Sequence, residues 1–139
     1  MPELPEVETV TNSVKKHLLN ENFISLSVIW TKVLHNFSIP YFNNKIKNKQ
    51  IINFYRRGKF IIIDFESCIM AVHLRMTGKL YVQSKIDKSI KHISAYLKFS
   101  DKYLIFEDTR KFGRFYLYDS IKYLNNKLGI EPFSVAFTE

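Results

Sequence analysis

From Gln50 onward the chain is a succession of short runs, rich in β-branched and aromatic residues, at about 50–56, 59–66, 68–75, 79–84, 93–100, 103–108 and 113–118. No other feature restricts the fold as strongly. Seven consecutive runs of strand length, with this composition, fit antiparallel pairing. Between the fourth and fifth runs, residues 84 to 92 carry Lys85, Asp87, Lys88, Lys91 and His92 and read as a mobile charged loop.

Ahead of the strands the period changes. Leu4, Val7, Val10, Val14 and Leu18 recur at three- and four-residue steps, which predicts a helix over 3–19. Pro2 and Pro5 suit its first turn, where N–H groups have no intrahelical partner. Asn20-Glu21-Asn22 ends it. Ile24, Leu26, Val28 and Trp30 then alternate with Ser25, Ser27, Ile29 and Thr31, a half-buried strand. Residues 34–49 are less regular, a loop with a short helix after Pro40. Asp119-Ser120 can cap a closing helix that ends near Leu128, with Gly129 beyond it. With no repeat and no interdomain linker, the expected fold is mainly β with flanking helices: a two-layer antiparallel β-sandwich preceded by an N-terminal α-helix.

At 139 residues the chain can bury a real core as one domain. Its longest apolar runs, Phe60 to Ile63 and Ile69 to Val72, are far too short for a membrane span, and no signal-peptide pattern opens it, so the expected location is the cytoplasm. Cys68 is the only cysteine, which rules out an internal disulfide and reads as buried packing. The formal net charge of +8 points to a polyanionic partner. Most of that charge is lysine, which a solvated surface also explains. The five arginines, Arg56, Arg57, Arg75, Arg110 and Arg114, are more telling, since all fall in three short motifs and offer planar, bidentate donors.

The first residues suggest chemistry. Removal of Met1 would leave Pro2 with a secondary amine, and Glu3 and Glu6 follow within one helical turn. An α-amine titrates near pH 8, so part of it is an uncharged nucleophile at neutral pH, able to form a Schiff base with a sugar carbon. Acids at a helix start are also favoured by roughly 0.3–1 kcal/mol each through the helix dipole. That accounts for Glu3, Glu6 and Glu8 but not for the interleaved prolines. Three further stretches stand out. Arg56-Arg57-Gly58-Lys59 is a cationic turn, His73-Leu74-Arg75-Met76-Thr77-Gly78-Lys79-Leu80 places His73 and Arg75 on one face, and Glu107-Asp108-Thr109-Arg110-Lys111-Phe112-Gly113-Arg114 is a charged hairpin with an aromatic anchor.

Taken with Pro2-Glu3-Leu4-Pro5-Glu6-Val7-Glu8, these stretches resemble the bacterial formamidopyrimidine-DNA glycosylases, which excise oxidised purines and then cut the strand. The resemblance implies a Pro2 nucleophile, Glu3 as acid/base, Glu6 supporting the amine and Lys59 reaching phosphate and lesion. It implies phosphate binding by His73, with Arg75 beside it, and Met76 filling the space left by an extruded base. Arg110 would bond the orphaned cytosine while Phe112 wedges into the stack and Asp108 buttresses the loop. His92 stands where the family has the first of two histidines, the second position being Ser94, and is carried over as a phosphate contact. The implied partner is damaged double-stranded DNA, bound by a monomer.

The resemblance runs to Leu128-Gly129-Ile130-Glu131-Pro132-Phe133, which is similar to the family's lead into a second domain. Residues 1–133 are therefore expected to form the catalytic domain, and 134–139 to begin a helix-two-turns-helix domain. Family members continue into a four-cysteine zinc finger. Zinc belongs there, and neither a cofactor nor a metal ligand is expected in this chain. Two other readings stay open. One is a DNA-binding module without turnover. The other is an endonuclease VIII-like enzyme for oxidised pyrimidines, which Leu4-Pro5 disfavours.

Overall fold

The computed structural model of the chain describes residues 4–75, 77–87, 89–120 and 122, with only the backbone of 4–6. Pro2, Glu3, Met76, the side chain of Glu6, the closing helix expected up to Leu128 and the expected domain start at 134–139 lie outside the described residues.

The element order is α1 (Leu4–Leu18), β1 (Phe23–Val28), a 3-10 turn (Thr31–Val33), α2 (Ile39–Ile46), β2 (Asn53–Arg57), β3 (Phe60–Asp64), β4 (Ile69–His73), β5 (Gly78–Gln83), β6 (Ile93–Phe99), β7 (Tyr103–Asp108) and β8 (Arg114–Tyr118). The strands form two four-stranded sheets ordered β1-β6-β7-β5 and β2-β3-β4-β8, every pairing antiparallel. This is the sandwich the strand series predicts, with a helix leading into it.

Alternation along the strands fills the space between the sheets. Leu26, Ala95, Leu97, Leu104 and Phe106 from one sheet share a core with Phe54, Ile61, Ile63, Met70, Val72 and Phe115 from the other. Val7, Val14 and Leu18 of α1 join it, and the helix packs along β2 and β5, spanning the open side between the layers. Thr11, buried on the same helix, donates its hydroxyl to the Val7 carbonyl at 2.7 Å, so its polar atom is satisfied inside its own helix. Cys68 is buried in this core, and burial raises its thiol to about 11, which keeps it protonated.

The segment ahead of β2 departs from the sequence reading in three details. β1 does not bury Ile24: a register shift between Phe23 and Ser25 puts Phe23 and Leu26 inside and leaves Ile24 42% exposed. Trp30 has left the strand, which ends at Val28. The short helix starts at Ile39, one residue before Pro40, because Ser38 caps it by accepting the Tyr41 N–H and proline is tolerated in a first turn.

The strand directions sort the connections between two ends. The start of α1, the β2–β3 turn, the β4–β5 turn, the start of β6 and the β7–β8 loop gather at one end. The end of α1, α2 and the β3–β4 and β6–β7 turns gather at the other.

Candidate nucleic-acid interface

At the first of these ends the register of the β2-β3-β4-β8 sheet aligns Arg57, Phe60, His73 and Arg114 in one cross-strand row. Residues in such a row share a face, so the row is a direct product of strand alternation and register. Arg56, one residue back on β2, pairs with Glu8 of α1 at 3.3 Å and donates to the Gly58 carbonyl at 3.0 Å. Glu8 lies one turn into the helix, so this pair brings the N-terminal end of α1 to the cationic turn. Gly58 has φ +63, a left-handed backbone that glycine adopts without strain, and the exposed Lys59 follows it.

His73 is held from two sides. Its Nδ1 accepts the Arg75 N–H at 3.0 Å, and the Phe60 ring meets it edge-on at 4.8 Å. Partial burial, then the charges of Arg75 and Lys59, lower its pKa to about 4. The ring is therefore neutral at physiological pH, with Nε2 left to carry its proton. It offers a polyanion a hydrogen bond rather than a charge. Arg75 reaches this neighbourhood differently from the strand alternation expected of it. β4 ends at His73, and Arg75 sits in the turn with φ +59, its guanidinium 3.5 Å from the Tyr116 hydroxyl.

The β7–β8 loop is organised by Asp108, which is fully buried. One carboxylate oxygen accepts the Thr77 hydroxyl at 2.5 Å and the Arg110 N–H at 3.2 Å, and the other accepts the Gly113 N–H at 2.8 Å. A buried carboxylate needs such partners to be tolerated at all. Thr77 thereby ties the β4–β5 turn to the loop that carries Arg110 and Phe112. Both turns rest on the ring of Phe106. A Cβ added to Gly113 would stand 2.3 Å from that ring and 3.0 Å from the His73 carbonyl, and one added to Gly78 would stand 2.5 Å from the Leu74 carbonyl. Arg110 is exposed, its guanidinium 5.2 Å from the centre of the Phe112 ring, which is 44% exposed.

His92 stands on the adjoining rim, exposed, with φ +72 and its carbonyl accepting the Asp108 N–H at 2.8 Å. The structure thus gathers Lys59, His73, Arg75, His92, Arg110 and Phe112, and all five arginines, at one end of the sandwich. The acids described nearby are already engaged: Glu8 with Arg56, Asp108 within its loop, and Glu107 accepting the Tyr81 hydroxyl at 2.7 Å. The result is a cationic surface with an aromatic side chain standing out of it, suited to phosphate contact and to insertion between bases.

Sequence reasoning passed over Phe106, Thr77 and Trp30. In the sequence Thr77 stands only as part of the Thr77-Gly78 pair after Met76, and Trp30 only as the last apolar residue of an alternating run. Among the described residues no group of three or more His, Cys, Asp or Glu is placed to hold a metal ion, and one buried cysteine does not fit a four-cysteine zinc site. No helix among them is long and apolar enough to cross a membrane.

Comparison with known proteins agrees with this arrangement. A formamidopyrimidine-DNA glycosylase of Carboxydothermus hydrogenoformans is 35% identical over 139 residues, covering 99% of this chain and 51% of its own length. The Lactococcus lactis Fpg bound to DNA containing an abasic site superposes with a TM-score of 0.84 at 30% identity, over 92% of this chain and 47% of that one. The same enzyme bound to DNA containing Fapy-dG gives 0.83 at 30%, over 91% and 48%. The chain spans about half the length of the curated relatives it matches. The family model described as the formamidopyrimidine-DNA glycosylase N-terminal domain matches residues 1–115, and with the sandwich and its cationic end this places the chain in the formamidopyrimidine-DNA glycosylase family.

Proposed function

We propose that the chain is the catalytic half of a bifunctional DNA glycosylase and AP lyase that removes oxidised purines, 8-oxoguanine and formamidopyrimidines, in base-excision repair. One observation carries this reading: five arginines, His73 and Lys59 converge on the end of the sandwich at which α1 begins, three residues or fewer from Pro2 and Glu3. The substrates follow those of the relatives, one of which was crystallised on DNA containing Fapy-dG.

The chemistry uses the chain's own groups. With Met1 removed, the Pro2 nitrogen attacks C1′ of the damaged nucleotide and the C1′–N bond breaks, its electron pair leaving with the base. Glu3 protonates the opening sugar ring, giving an iminium, and then assists β- and δ-elimination of the flanking phosphates. A positioned acid of this kind is worth about 10²–10⁴ in rate. Glu6 supports the amine and Lys59 binds the adjoining phosphate. Reaching C1′ requires extrusion of the nucleotide, at a cost of a few kcal/mol, which Met76 as plug and Phe112 as wedge offset. Arg110 reads the cytosine left behind, His73 donates to a phosphate as a neutral ring, and Arg75 and His92 contact the backbone. Residues 1–133 form this domain and 134–139 open the next, a helix-two-turns-helix module followed by a zinc finger.

Borohydride trapping on a duplex carrying 8-oxoguanine, read by intact mass, tests the reading. The expected product is a chain lacking Met1 with DNA attached through a reduced amine. Binding of that duplex without any adduct would overturn it. That second outcome is a DNA-binding module without turnover.

A further inference from the structure

Trp30 lies outside every motif that the proposed function uses, yet two residues of the β7–β8 segment rest on it. The Lys111 ammonium is 5.8 Å and the Arg114 guanidinium 5.1 Å from the centre of its ring, both within the range of a cation–π contact. Arg114 also donates to the carbonyls of Lys111 and Gly113, each at 2.8 Å, so the cation that grips the indole fixes the backbone on both sides of Phe112.

The indole stands on a rigid base. The N–H groups of Ile29 and Trp30 both donate to the Ser94 carbonyl of β6, at 2.8 and 3.1 Å. A few residues on, His35 donates to the Phe115 carbonyl at 2.9 Å, and the Asn36 side chain bonds both the N–H and the carbonyl of Leu117 on β8. Segment 29–36 is therefore a strut between the two sheets, with Trp30 at its cationic end. Lys111 has φ +58, an uncommon backbone for a lysine. The loop carries two cation–aromatic groupings. Arg110 lies over the exposed Phe112, whereas Lys111 and Arg114 rest on the half-buried Trp30.

We propose that Trp30 is a positioning residue for opposite-strand recognition: its ring, gripped by Lys111 and Arg114, holds the 109–113 loop at the height and angle from which Arg110 addresses the base facing the lesion. This rests on the proposed reading of Arg110 as the reader of that base. A bidentate reader discriminates only while its donors stay aligned, so loss of the anvil removes selectivity before it removes general affinity, which comes from phosphate contacts.

The test uses the whole 139-residue chain at fixed salt, with fluorescein-labelled duplexes carrying a stable abasic-site analogue opposite dC or dA, read by anisotropy. Trp30→Leu is expected to cut the dC-over-dA preference by about tenfold, with less than about twofold change in affinity for the dA duplex, and Trp30→Phe to restore most of it. A purely structural role would lower both affinities together. Because Trp30 is the only tryptophan, its emission in the wild-type chain gives a second readout, independent of whether the Leu variant folds. A change in that emission is expected on binding the dC duplex, and constant emission would overturn the proposal. A wild-type chain that binds both duplexes equally overturns the reading of Arg110 and this proposal with it. A preference kept intact in Trp30→Leu overturns the role of Trp30 alone.

Discussion

At the end of the sandwich closed by α2, Phe23 meets Phe42, Phe65 and Phe99 edge to face, with ring centres 5.2 to 6.1 Å apart; at the opposite end the rings of Phe60, Phe106 and Phe115 lie beneath turns lined with cations. The backbone differs in the same sense. Left-handed residues at the α2 end are Asn20, Asn48 and Glu66, and asparagine is among the side chains best tolerated there. At the cationic end they are Gly58, Arg75, His92 and Lys111. An ordinary residue in this region costs about 1–2 kcal/mol, which glycine would avoid. Glu66 apart, the α2 end places asparagine in this region, while the cationic end keeps arginine and lysine where folding alone would select glycine or asparagine. Side-chain identity at the cationic end therefore answers to something besides stability.

The contrast breaks first, and hardest, under Phe23→Ala. Removing a fully buried ring that touches three others should cost about 3–5 kcal/mol, measured as a lower urea midpoint at unchanged slope. DNA affinity measured in the folded baseline should stay within about twofold. A comparable loss of affinity would mean that the ends are mechanically coupled and the contrast false. Gly113→Ala should sharpen it from the other side. The added methyl meets the Phe106 ring, the His73 carbonyl and the Asp108 carboxylate at once, an overpacking that costs about 1–3 kcal/mol. Unlike Phe23→Ala, it should also weaken DNA binding, because Asp108 holds both site turns. Stability lost with affinity intact would detach that carboxylate from the interface.

His73 supplies a smaller, pH-dependent difference between the ends. Its folded pKa, about 4, lies below the usual histidine value, so between roughly pH 4 and 6.5 the unfolded chain binds a proton that the folded chain does not. Stability is then complete above pH 6.5 and declines as pH falls toward 4. His73→Asn should flatten this part of the urea-midpoint profile relative to wild type. Parallel profiles for the two proteins would show that the ring is not held neutral.

The periodicities make the layers legible in the sequence, because alternation and strand length are local properties. The strand ends followed to within about three residues. The bulge at Phe23 did not, since an extra residue in one strand depends on its partner, and Ile24 looks as apolar as the residues that are buried. At the candidate site, Lys59, His73, Arg75, Arg110 and Phe112 were legible as motif residues. Phe106 and Trp30 were not, because supporting a turn from below leaves no pattern in the chain. The neutrality of His73 was equally hidden, being set by burial and by two cations brought near it in space.

Arg75→Gly should show the smallest stability change and separates the two demands most cleanly. Glycine keeps the N–H that bonds His73 and relieves the left-handed strain, while the Tyr116 hydroxyl, to which the Arg75 guanidinium donates, is a weak partner at 3.5 Å. Glycine also widens the unfolded ensemble, which opposes the gain, so the net change should be within about 0.5 kcal/mol of zero. Binding should respond far more. If Arg75 meets a phosphate, the slope of log affinity against log salt should shrink by about 0.9, with a proportionate loss for every sequence tested. The same substitution also removes one of the charges that depress His73, so the His73-dependent fall in stability should be smaller in Arg75→Gly and level off at a higher pH. A variant clearly less stable than wild type, binding with an unchanged salt slope, would show that Arg75 stands in that turn for the fold's sake, and the contrast between the two ends would fail at this residue.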